Sequence, residues 1–242
     1  MSASALLELK DVQTHIGAYH ILHGVNLLVP RGELTLLLGR NGAGKTTTLR
    51  TIMGLLQASQ GTLNFNGHDI TRMTTPDIAS LNIAYVPENM GIFSDLTVEE
   101  NMLLAARKAA RPSQMDAARL AWIYAIFPAV EKFWHHPAGK LSGGQKQMLA
   151  VARAMVEPRD LLIVDEPSKG LAPAIVQNMM EAFQKMKASG VTILLVEQNI
   201  HFAQQLGDSV AVMDNGRVIH AGSMAALSAD PELQQSLLGL AL

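Results

Sequence analysis

The segment Gly39–Thr46 constrains the fold of this chain more than any other part of the sequence. It reads Gly-Arg-Asn-Gly-Ala-Gly-Lys-Thr and fits the pattern G-x-x-x-x-G-K-[ST], after the strand-like run Leu34–Leu38 and before the helix-compatible run Thr47–Leu56. Glycines let such a loop turn its backbone N–H groups inward around phosphate oxygens, and the following helix N-terminus adds a positive dipole end. A strand, this loop and a helix in that order predict an α/β nucleotide-binding fold.

The lysine and threonine that close this segment are suited to hold a nucleotide. Lys45 would reach the β- and γ-phosphates, and the Thr46 hydroxyl would coordinate Mg²⁺. The alternative is a glycine-rich turn that holds no ligand, and the strand and helix around the segment argue against it. We therefore predict that the chain binds ATP or GTP with Mg²⁺. The predicted nucleotide contacts in this segment are Gly39, Arg40, Asn41, Gly42, Ala43, Gly44, Lys45, Thr46 and Thr47.

A second motif, Leu161–Glu166, combines a buried strand with two carboxylates. Its sequence Leu-Leu-Ile-Val-Asp-Glu is a continuous apolar run of the kind found in parallel strands covered on both faces. In such sheets ligands gather at the carboxyl ends of the strands. We expect Asp165 to hold Mg²⁺ through water, and Glu166 to position and polarise the water that attacks the γ-phosphate.

The segment Leu141–Gln145, Leu-Ser-Gly-Gly-Gln, precedes a predicted helix over Gln145–Val156. Ser142 is suited to cap this helix. A helix N-terminus with two glycines and a hydroxyl is also a second anion site. If it lies across the molecule from Lys45, one chain cannot bring both to the same γ-phosphate. We therefore predict a head-to-tail pair of chains, each completing the other's ATP site. The predicted contacts are Ser142, Gly143, Gly144 and Gln145.

Between the two halves of this site the hydrophobic pattern changes from strands to helices. Capping motifs at Thr97–Glu100 and Ser113–Asp116 predict helices that run to about Arg107 and Phe127. The pattern predicts an α/β core interrupted by a helical lobe over residues 88–140. Strands are predicted over Leu6–Val12, Gly24–Val29, Leu34–Leu38, Thr62–Phe65, Leu161–Val164, Thr192–Val196 and Ser209–Met213, with tight hairpin turns at Asn66-Gly67 and Asn215-Gly216.

The composition of the chain limits the partners and the ligand sites that this core can have. The formal net charge of −2 supplies no positive field that would recruit nucleic acid, and the absence of cysteine excludes disulfides and thiolate metal sites. Nowhere do about 18 apolar residues run without interruption, and Met1–Lys10 lacks the pattern of a secretory signal. Any role at a membrane is therefore expected to pass through a protein partner.

The three motifs together resemble those of ABC ATPase subunits in their order and spacing. The resemblance covers nearly the whole chain, and the segment Leu141–Gln145 is its most specific part. More narrowly, the chain is similar to the second ATPase subunit of branched-chain amino acid transporters, the LivF type. The urea and short-amide importers have similar ATPases. Further stretches that carry the resemblance are Tyr85–Glu88, Leu96–Asn101, Glu166–Pro173 and Leu195–Asn199.

The resemblance implies a single ABC ATPase domain over residues 6–238. Its core would comprise about residues 6–87 and 141–238, with a mainly parallel sheet and an antiparallel β subdomain, and the α-helical subdomain would be inserted between them. It also implies ATP hydrolysis with Mg²⁺, with Glu166, Gln198 and Lys45 as the catalytic residues.

The partners implied are a second ABC ATPase subunit, identical or different, integral membrane permease subunits and, indirectly, a solute-binding protein. The expected location is peripheral, at the cytoplasmic face of the inner membrane. No nucleic-acid partner is expected.

The chain departs from the general ABC pattern at four positions. Ile16 stands where many of these ATPases place an adenine-stacking aromatic, so that either the nearby Tyr19 stacks on the base or Ile16 offers an apolar contact. Glu88 replaces the usual glutamine and is a candidate Mg²⁺ ligand with Thr46 and Asp165. Gln198 replaces a histidine that contacts the γ-phosphate; an amide donates a hydrogen bond but does not titrate near neutral pH. Ala172 replaces an aspartate.

Three other functions are consistent with part of this pattern. A soluble ABC ATPase acting on DNA or ribosomes typically carries a long coiled coil or two cassettes, and this chain shows neither. A nucleotide-gated docking subunit with little turnover is compatible with Ile16, Glu88 and Gln198. A metabolic phosphate-loop kinase leaves Leu141–Gln145 unexplained. We predict the ATPase subunit of an importer, for branched-chain or other hydrophobic amino acids.

Overall fold

A computed structural model describes residues 5–238, so the first four residues of the segment inspected for a secretory signal lie outside it. The strands are β1 (Ala5–Ile16), β2 (Tyr19–Pro30), β3 (Leu34–Gly39), β4 (Ala58–Phe65), β5 (His68–Asp69), β6 (Ile83–Val86), β7 (Leu161–Asp165), β8 (Thr192–Glu197), β9 (Ser209–Asp214) and β10 (Arg217–Ser223). The helices are α1 (Lys45–Ile52), α2 (Thr75–Ser80), α3 (Val98–Ala105), α4 (Ala117–Ile126), α5 (Pro128–Lys132), α6 (Gly143–Ala154), α7 (Pro173–Ala188), α8 (Ile200–Leu206), α9 (Met224–Ser228) and α10 (Pro231–Leu238).

Six strands form a mainly parallel sheet in the order β10-β9-β3-β8-β7-β6. Only β10 is antiparallel to its neighbour. Every residue of β3, β7 and β8 is buried, as expected for central strands covered on both faces. The sheet aligns the carboxyl ends of β3, β7 and β8 along one edge. That edge carries the loop after Gly39, the carboxylates after Val164 and the segment after Glu197.

The second sheet is antiparallel, in the order β2-β1-β4-β5. The turn Asn66-Gly67 joins β4 to β5, and Asn215-Gly216 joins β9 to β10 of the parallel sheet. All four residues have positive φ, between 45° and 83°, which is the conformation that type I′ turns require. Both predicted hairpin turns are confirmed, and so is the predicted combination of a mainly parallel sheet, an antiparallel sheet and helices.

The parallel sheet has a separate hydrophobic core on each of its faces. Leu36 and Leu38 of β3 pack with the helices that follow β6, whereas Leu37 packs with α1 and the antiparallel sheet. Alternate residues of a strand point to opposite faces, so one apolar run serves both cores. This two-sided burial holds β3 and β7, and the loops that leave them, in fixed positions.

The helix α3 begins as predicted at a capping box, in which Thr97 and Glu100 exchange hydrogen bonds. The prediction that Ser113 opens the next helix is wrong. Ser113 lies in a 3₁₀ turn, Met115 is extended, and Asp116 is the residue that caps α4 by accepting from the Arg119 N–H. An aspartate next to the first helical residue caps it directly, so Ser113 is not needed.

No helix within residues 5–238 combines the length and the hydropathy needed to cross a membrane.

Candidate functional site

The loop after β3 depends on glycine at positions where a side chain would not fit. A Cβ atom on Gly39 would collide with the Met213 carbonyl oxygen. Gly44, the residue before α1, has φ 106°, and a Cβ there would lie 3.0 Å from Leu22 Cδ2. The loop therefore fits tightly against β2 and β9, and its backbone conformation is determined before any ligand binds.

Lys45 is buried at the first turn of α1, with 4% of its surface exposed. Its Nζ donates to the Gly39 and Arg40 carbonyl oxygens at 2.8 and 3.1 Å and lies 3.3 Å from Glu166 Oε1. A buried ammonium must be paired and hydrogen-bonded, and here the loop itself and one carboxylate satisfy it. A phosphate would offer oxygens that replace these partners.

Asp165, at the end of β7, faces the start of α1. Thr46 Oγ1 donates to its Oδ2 at 2.9 Å, while its Oδ1 is buried with no hydrogen-bond partner among the described residues. Burial raises the pKa of Asp165 to about 6; the Thr46 hydrogen bond opposes this rise and the charges of Glu166 and Glu88 add to it. A buried carboxylate oxygen that lacks a donor, beside a threonine hydroxyl, fits the oxygen ligands of Mg²⁺.

The protein ligands alone would not complete a metal shell. Within residues 5–238 no three His, Cys, Asp or Glu side chains form a cluster able to hold a metal ion. Mg²⁺ typically uses one or two carboxylates and takes its other ligands from water and substrate phosphates. Asp165 and Thr46 therefore fit a metal that arrives with a nucleotide.

Glu166 adopts a left-handed backbone conformation, φ 48°, which is rare for a residue other than glycine. Its N–H donates to the Val196 carbonyl oxygen at 3.0 Å, so the neighbouring strand holds the turn. Burial raises the pKa of the Glu166 carboxyl, but the Gln198 hydrogen bond and the Lys45 ammonium outweigh burial, and the pKa lies below its ordinary value. Glu166 is therefore a carboxylate at neutral pH, as a group that polarises water must be.

Gln198, the residue after β8, lies beside Glu166. Its Nε2 donates to Glu166 Oε1 and to Asn41 Oδ1, at 2.6 Å in both cases. The side chain thus connects the segment after β8 to the glycine loop and to the β7 carboxylate. As an amide it provides donors whose state does not change with pH.

A cavity of about 300 Å³ opens above the glycine loop. Ile16 and Ile21 line one side of it, and neither Tyr19 nor the segment 142–145 is part of the lining. Tyr19 pairs with Ile16 across the β1–β2 hairpin and is 76% exposed. Stacking of Tyr19 on a nucleobase and the apolar contact of Ile16 both stay predictions, and of the two residues only Ile16 lines the cavity. The lining comprises Ile16, Ile21, Asn41, Gly42, Gly44, Lys45, Thr46, Thr47, Glu88, Glu166 and Lys169.

Two residues of this lining were missed by the sequence analysis. Ile21 belongs to the long strand β2, of which only the second half was predicted. Lys169 follows Glu166 by three residues, and its Nζ lies 2.6 Å from Glu88 Oε1 and 3.4 Å from Glu166 Oε2. Its proximity to Glu166 in sequence was visible, but its contact with Glu88, 81 positions away, was not.

The segment Ser142–Gln145 forms the N-terminus of α6. Ser142 Oγ accepts from the Gln145 N–H, and the Gln145 side chain accepts from the Ser142 N–H, so the predicted cap is a complete capping box. Ser142 and Gly143 are exposed. A Cβ on Gly144 would collide with the Ile175 side chain, whereas one on Gly143 would meet nothing within 4 Å. The close packing of α6 on α7 thus explains Gly144, but not Gly143.

Comparison with known proteins gives this site a family context. The protein-family profile described as ABC transporter matches residues 22–169. The chain is 38% identical to the high-affinity branched-chain amino acid transport ATP-binding protein BraG of Pseudomonas aeruginosa, over 97% of this chain and 100% of the relative. It is 34% identical to the probable branched-chain amino acid transport ATP-binding protein LivF of Archaeoglobus fulgidus, over 96% and 99% of the two chains.

Similarity extends beyond these two relatives. The chain is 32% identical to the methionine import ATP-binding protein MetN of Mesorhizobium japonicum, over 97% of this chain and 65% of the relative. Its fold matches the solved ADP conformation of MJ1267, an ATP-binding cassette of an ABC transporter, with a TM-score of 0.83, 25% identity and coverage of 98% and 100%.

Proposed function

Because the chain belongs to the ABC transporter family of ATP-binding proteins, we propose that it powers an importer of branched-chain or other hydrophobic amino acids. It is an ABC ATPase, and we assign residues 6–238 to one such domain. The observation that supports the assigned site best is the meeting of Lys45, Asp165 and Glu166 at one edge of the parallel sheet, where Lys45 Nζ lies 3.3 Å from Glu166 Oε1 and Asp165 accepts a hydrogen bond from Thr46, the residue after Lys45. A cation for phosphate, a free carboxylate oxygen for Mg²⁺ and an ionised glutamate are the three groups that phosphoryl transfer to water requires.

Binding of the nucleotide would begin at the glycine loop. Lys45 exchanges the Gly39 and Arg40 carbonyl oxygens for the β- and γ-phosphates, at little cost because the ammonium is already desolvated. Thr46 and Asp165, which are hydrogen-bonded to each other, are the residues that would hold Mg²⁺, and the ion would neutralise phosphate charge.

Glu166 and Gln198 act on the attacking water. The Glu166 carboxylate accepts a hydrogen bond from the water and aims it at the γ-phosphate. Gln198 holds that carboxylate at 2.6 Å and is itself within 2.6 Å of Asn41 in the glycine loop. Hydrolysis that relies on Glu166 does not need a histidine at position 198, since the amide orients the carboxylate without exchanging a proton.

A second ATPase subunit would complete the site. The N-terminus of α6, with Ser142 and Gly143 exposed, does not line the cavity of its own chain. The N–H groups of its first turn and its positive dipole end favour an anion. A head-to-tail partner, identical or different, would place this terminus on the γ-phosphate held by Lys45. Closure of the pair is then the step that ATP drives.

The permease subunits would contact a second cavity of about 300 Å³, formed where β6, α3 and α6 meet. Apolar side chains, among them Met53 and Leu104, line it together with Arg107, Arg153 and Arg159. Burial lowers the pKa of the Arg153 guanidinium, and no salt bridge involves this residue among the described part of the chain. A permease segment with apolar and acidic side chains fits this lining and would hold the chain peripherally at the cytoplasmic face of the membrane. The solute-binding protein would act only through the permease.

The names of the relatives support the proposed solute: two name branched-chain amino acid transport and a third names methionine import. Reconstitution with the cognate permease and binding protein in ATP-loaded proteoliposomes tests it. We expect ATP-dependent uptake of leucine, isoleucine or valine. Uptake of urea or short amides alone would assign the alternative importer. If the chain binds ATP but the permease does not stimulate its hydrolysis, the chain would instead be a docking subunit.

A further inference from the structure

We propose that Lys169 is a positioning residue that balances the charge of Glu88 at the mouth of the nucleotide cavity, and that this pair sets the affinity for ATP. The inference rests on the proposed ATP site and adds a residue to it. Lys169 Nζ lies 2.6 Å from Glu88 Oε1 and 3.4 Å from Glu166 Oε2. The ammonium therefore bridges two carboxylates that come from different elements and line the same cavity.

The charges around this cavity explain why a bridging cation matters. Glu88 and Glu166 contribute two carboxylates to the lining, while Lys45 and Lys169 contribute two ammonium groups. A third carboxylate, Asp165, lies behind the lining and is hydrogen-bonded to Thr46. Without Lys169, two negative side chains and one positive side chain would face a triphosphate that is itself strongly negative. Without the Glu88 charge, Lys169 would be free to attract the phosphates. The two residues thus act in opposite directions on the same ligand.

The position of Lys169 is fixed by its neighbour in sequence. The Glu197 carboxylate, at the end of β8, accepts from both the N–H and the Oγ of Ser168, at 3.0 and 2.9 Å. Glu197 and Ser168 are both buried. The backbone before Lys169 is therefore anchored to the parallel sheet, so that the lysine leaves a rigid segment and its ammonium reaches the cavity.

A structural role of the pair is expected to be small. Both side chains are about half exposed, 53% for Lys169 and 49% for Glu88, and ion pairs of this kind contribute little to stability. The same two charges have a larger effect on the binding of a charged ligand than on the stability of the fold. At about 5 Å in a half-exposed site, one unit charge changes the binding of a singly charged group roughly tenfold.

The test is a double-mutant cycle on the isolated subunit, with ATP binding measured by calorimetry in EDTA and in Mg²⁺. We expect Lys169→Met to weaken ATP binding roughly tenfold in EDTA and less in Mg²⁺, because Mg²⁺ cancels part of the ligand charge. In EDTA, Glu88→Gln should tighten binding, and the double variant should bind within about twofold of the wild type. Lys169→Arg should retain wild-type affinity because it keeps the charge. Lys10→Met removes a cation from an exposed pair with Glu8 away from the cavity and is the matched control.

Four results would count against the proposal or against the function on which it rests. Wild-type affinity in Lys169→Met, or equal losses in the single and double variants, would overturn the charge-balance role. Equal losses in Lys169→Met and Lys10→Met would show a general charge effect and would also overturn it. Failure of the wild type to bind ATP would instead contradict the proposed function. A thermal melt of each variant separates lost binding from lost folding.

Discussion

Thr46 Oγ1 donates a hydrogen bond to Asp165 Oδ2 across 2.9 Å and so joins two motifs that lie 119 positions apart in the sequence. The contact leaves the second oxygen of Asp165 buried without a donor among the described residues. Such an oxygen costs folding free energy unless a cation satisfies it. The fold thus contains one unsatisfied buried oxygen at the place where a metal ion and a phosphate are expected to bind.

The raised pKa of Asp165 predicts a stability change in Asp165→Asn. Since the folded-state pKa is about 6 against an ordinary value of 3.8, the buried charge destabilises the nucleotide-free fold above pH 6, and this cost fades as the pH falls toward 4. We expect Asp165→Asn to stabilise the fold by about 3 kcal/mol at pH 8, and progressively less below pH 6. Thermal unfolding at pH 8 and pH 4.5 measures the difference. A variant that is less stable at pH 8 would contradict this account.

Replacement of Glu166, the residue proposed to polarise the attacking water, tests the hydrolytic step. Glu166→Gln keeps the size of the side chain but cannot accept a proton, so we expect turnover to fall by about 100-fold or more. ATP binding should persist, and the ATP-bound pair should accumulate in size-exclusion chromatography with Mg-ATP. Glu181→Gln, on the exposed face of α7, is the control and should hydrolyse ATP at the wild-type rate. Wild-type turnover in Glu166→Gln would remove this residue from the assigned role.

Substitutions of the two glycines at the α6 N-terminus, Gly143 and Gly144, are expected to have different effects. Gly144→Ala drives a methyl group into Ile175 and should destabilise the fold by about 1–3 kcal/mol. Gly143→Ala meets nothing within 4 Å in the single chain, so its thermal unfolding should match the wild type. If a partner's phosphate approaches this terminus, Gly143→Ala should still lose ATPase activity and pairing. Full activity in this variant would mean that no partner approaches position 143.

A substitution in the arginine-lined cavity is expected to reduce ATP hydrolysis only when the permease is present. Leu104 is 60% exposed and lines this cavity, so Leu104→Asp should place a charge in the contact with the membrane subunit. We expect unchanged basal hydrolysis, and loss of the stimulation seen in the reconstituted transporter. Leu28→Asp, on β2 and 55% exposed, is a control of equal chemistry away from this cavity. Stimulation at the wild-type level in Leu104→Asp would place the permease elsewhere.

Much of the fold was predictable because its signals are local. The hairpin turns at Asn66-Gly67 and Asn215-Gly216 depend on φ values that neighbouring residues set, and the capping box at Thr97 depends on a residue three positions later. The prediction for Ser113 was wrong for the same local reason. Two polar residues compete to cap α4, and the aspartate adjacent to the helix does so.

The sequence by itself determined the glycine loop, the acidic end of β7 and the cap of α6, since each consists of adjacent residues whose chemistry needs no distant partner. Only the tertiary structure decided how they combine. Gln198 reaches Asn41 across 157 positions and Lys169 reaches Glu88 across 81, because the parallel strands bring their carboxyl ends to one edge of the sheet. Spacing along a chain does not reveal such contacts, as they depend on which strands are neighbours. The charge balance of the site was therefore visible only in the folded molecule.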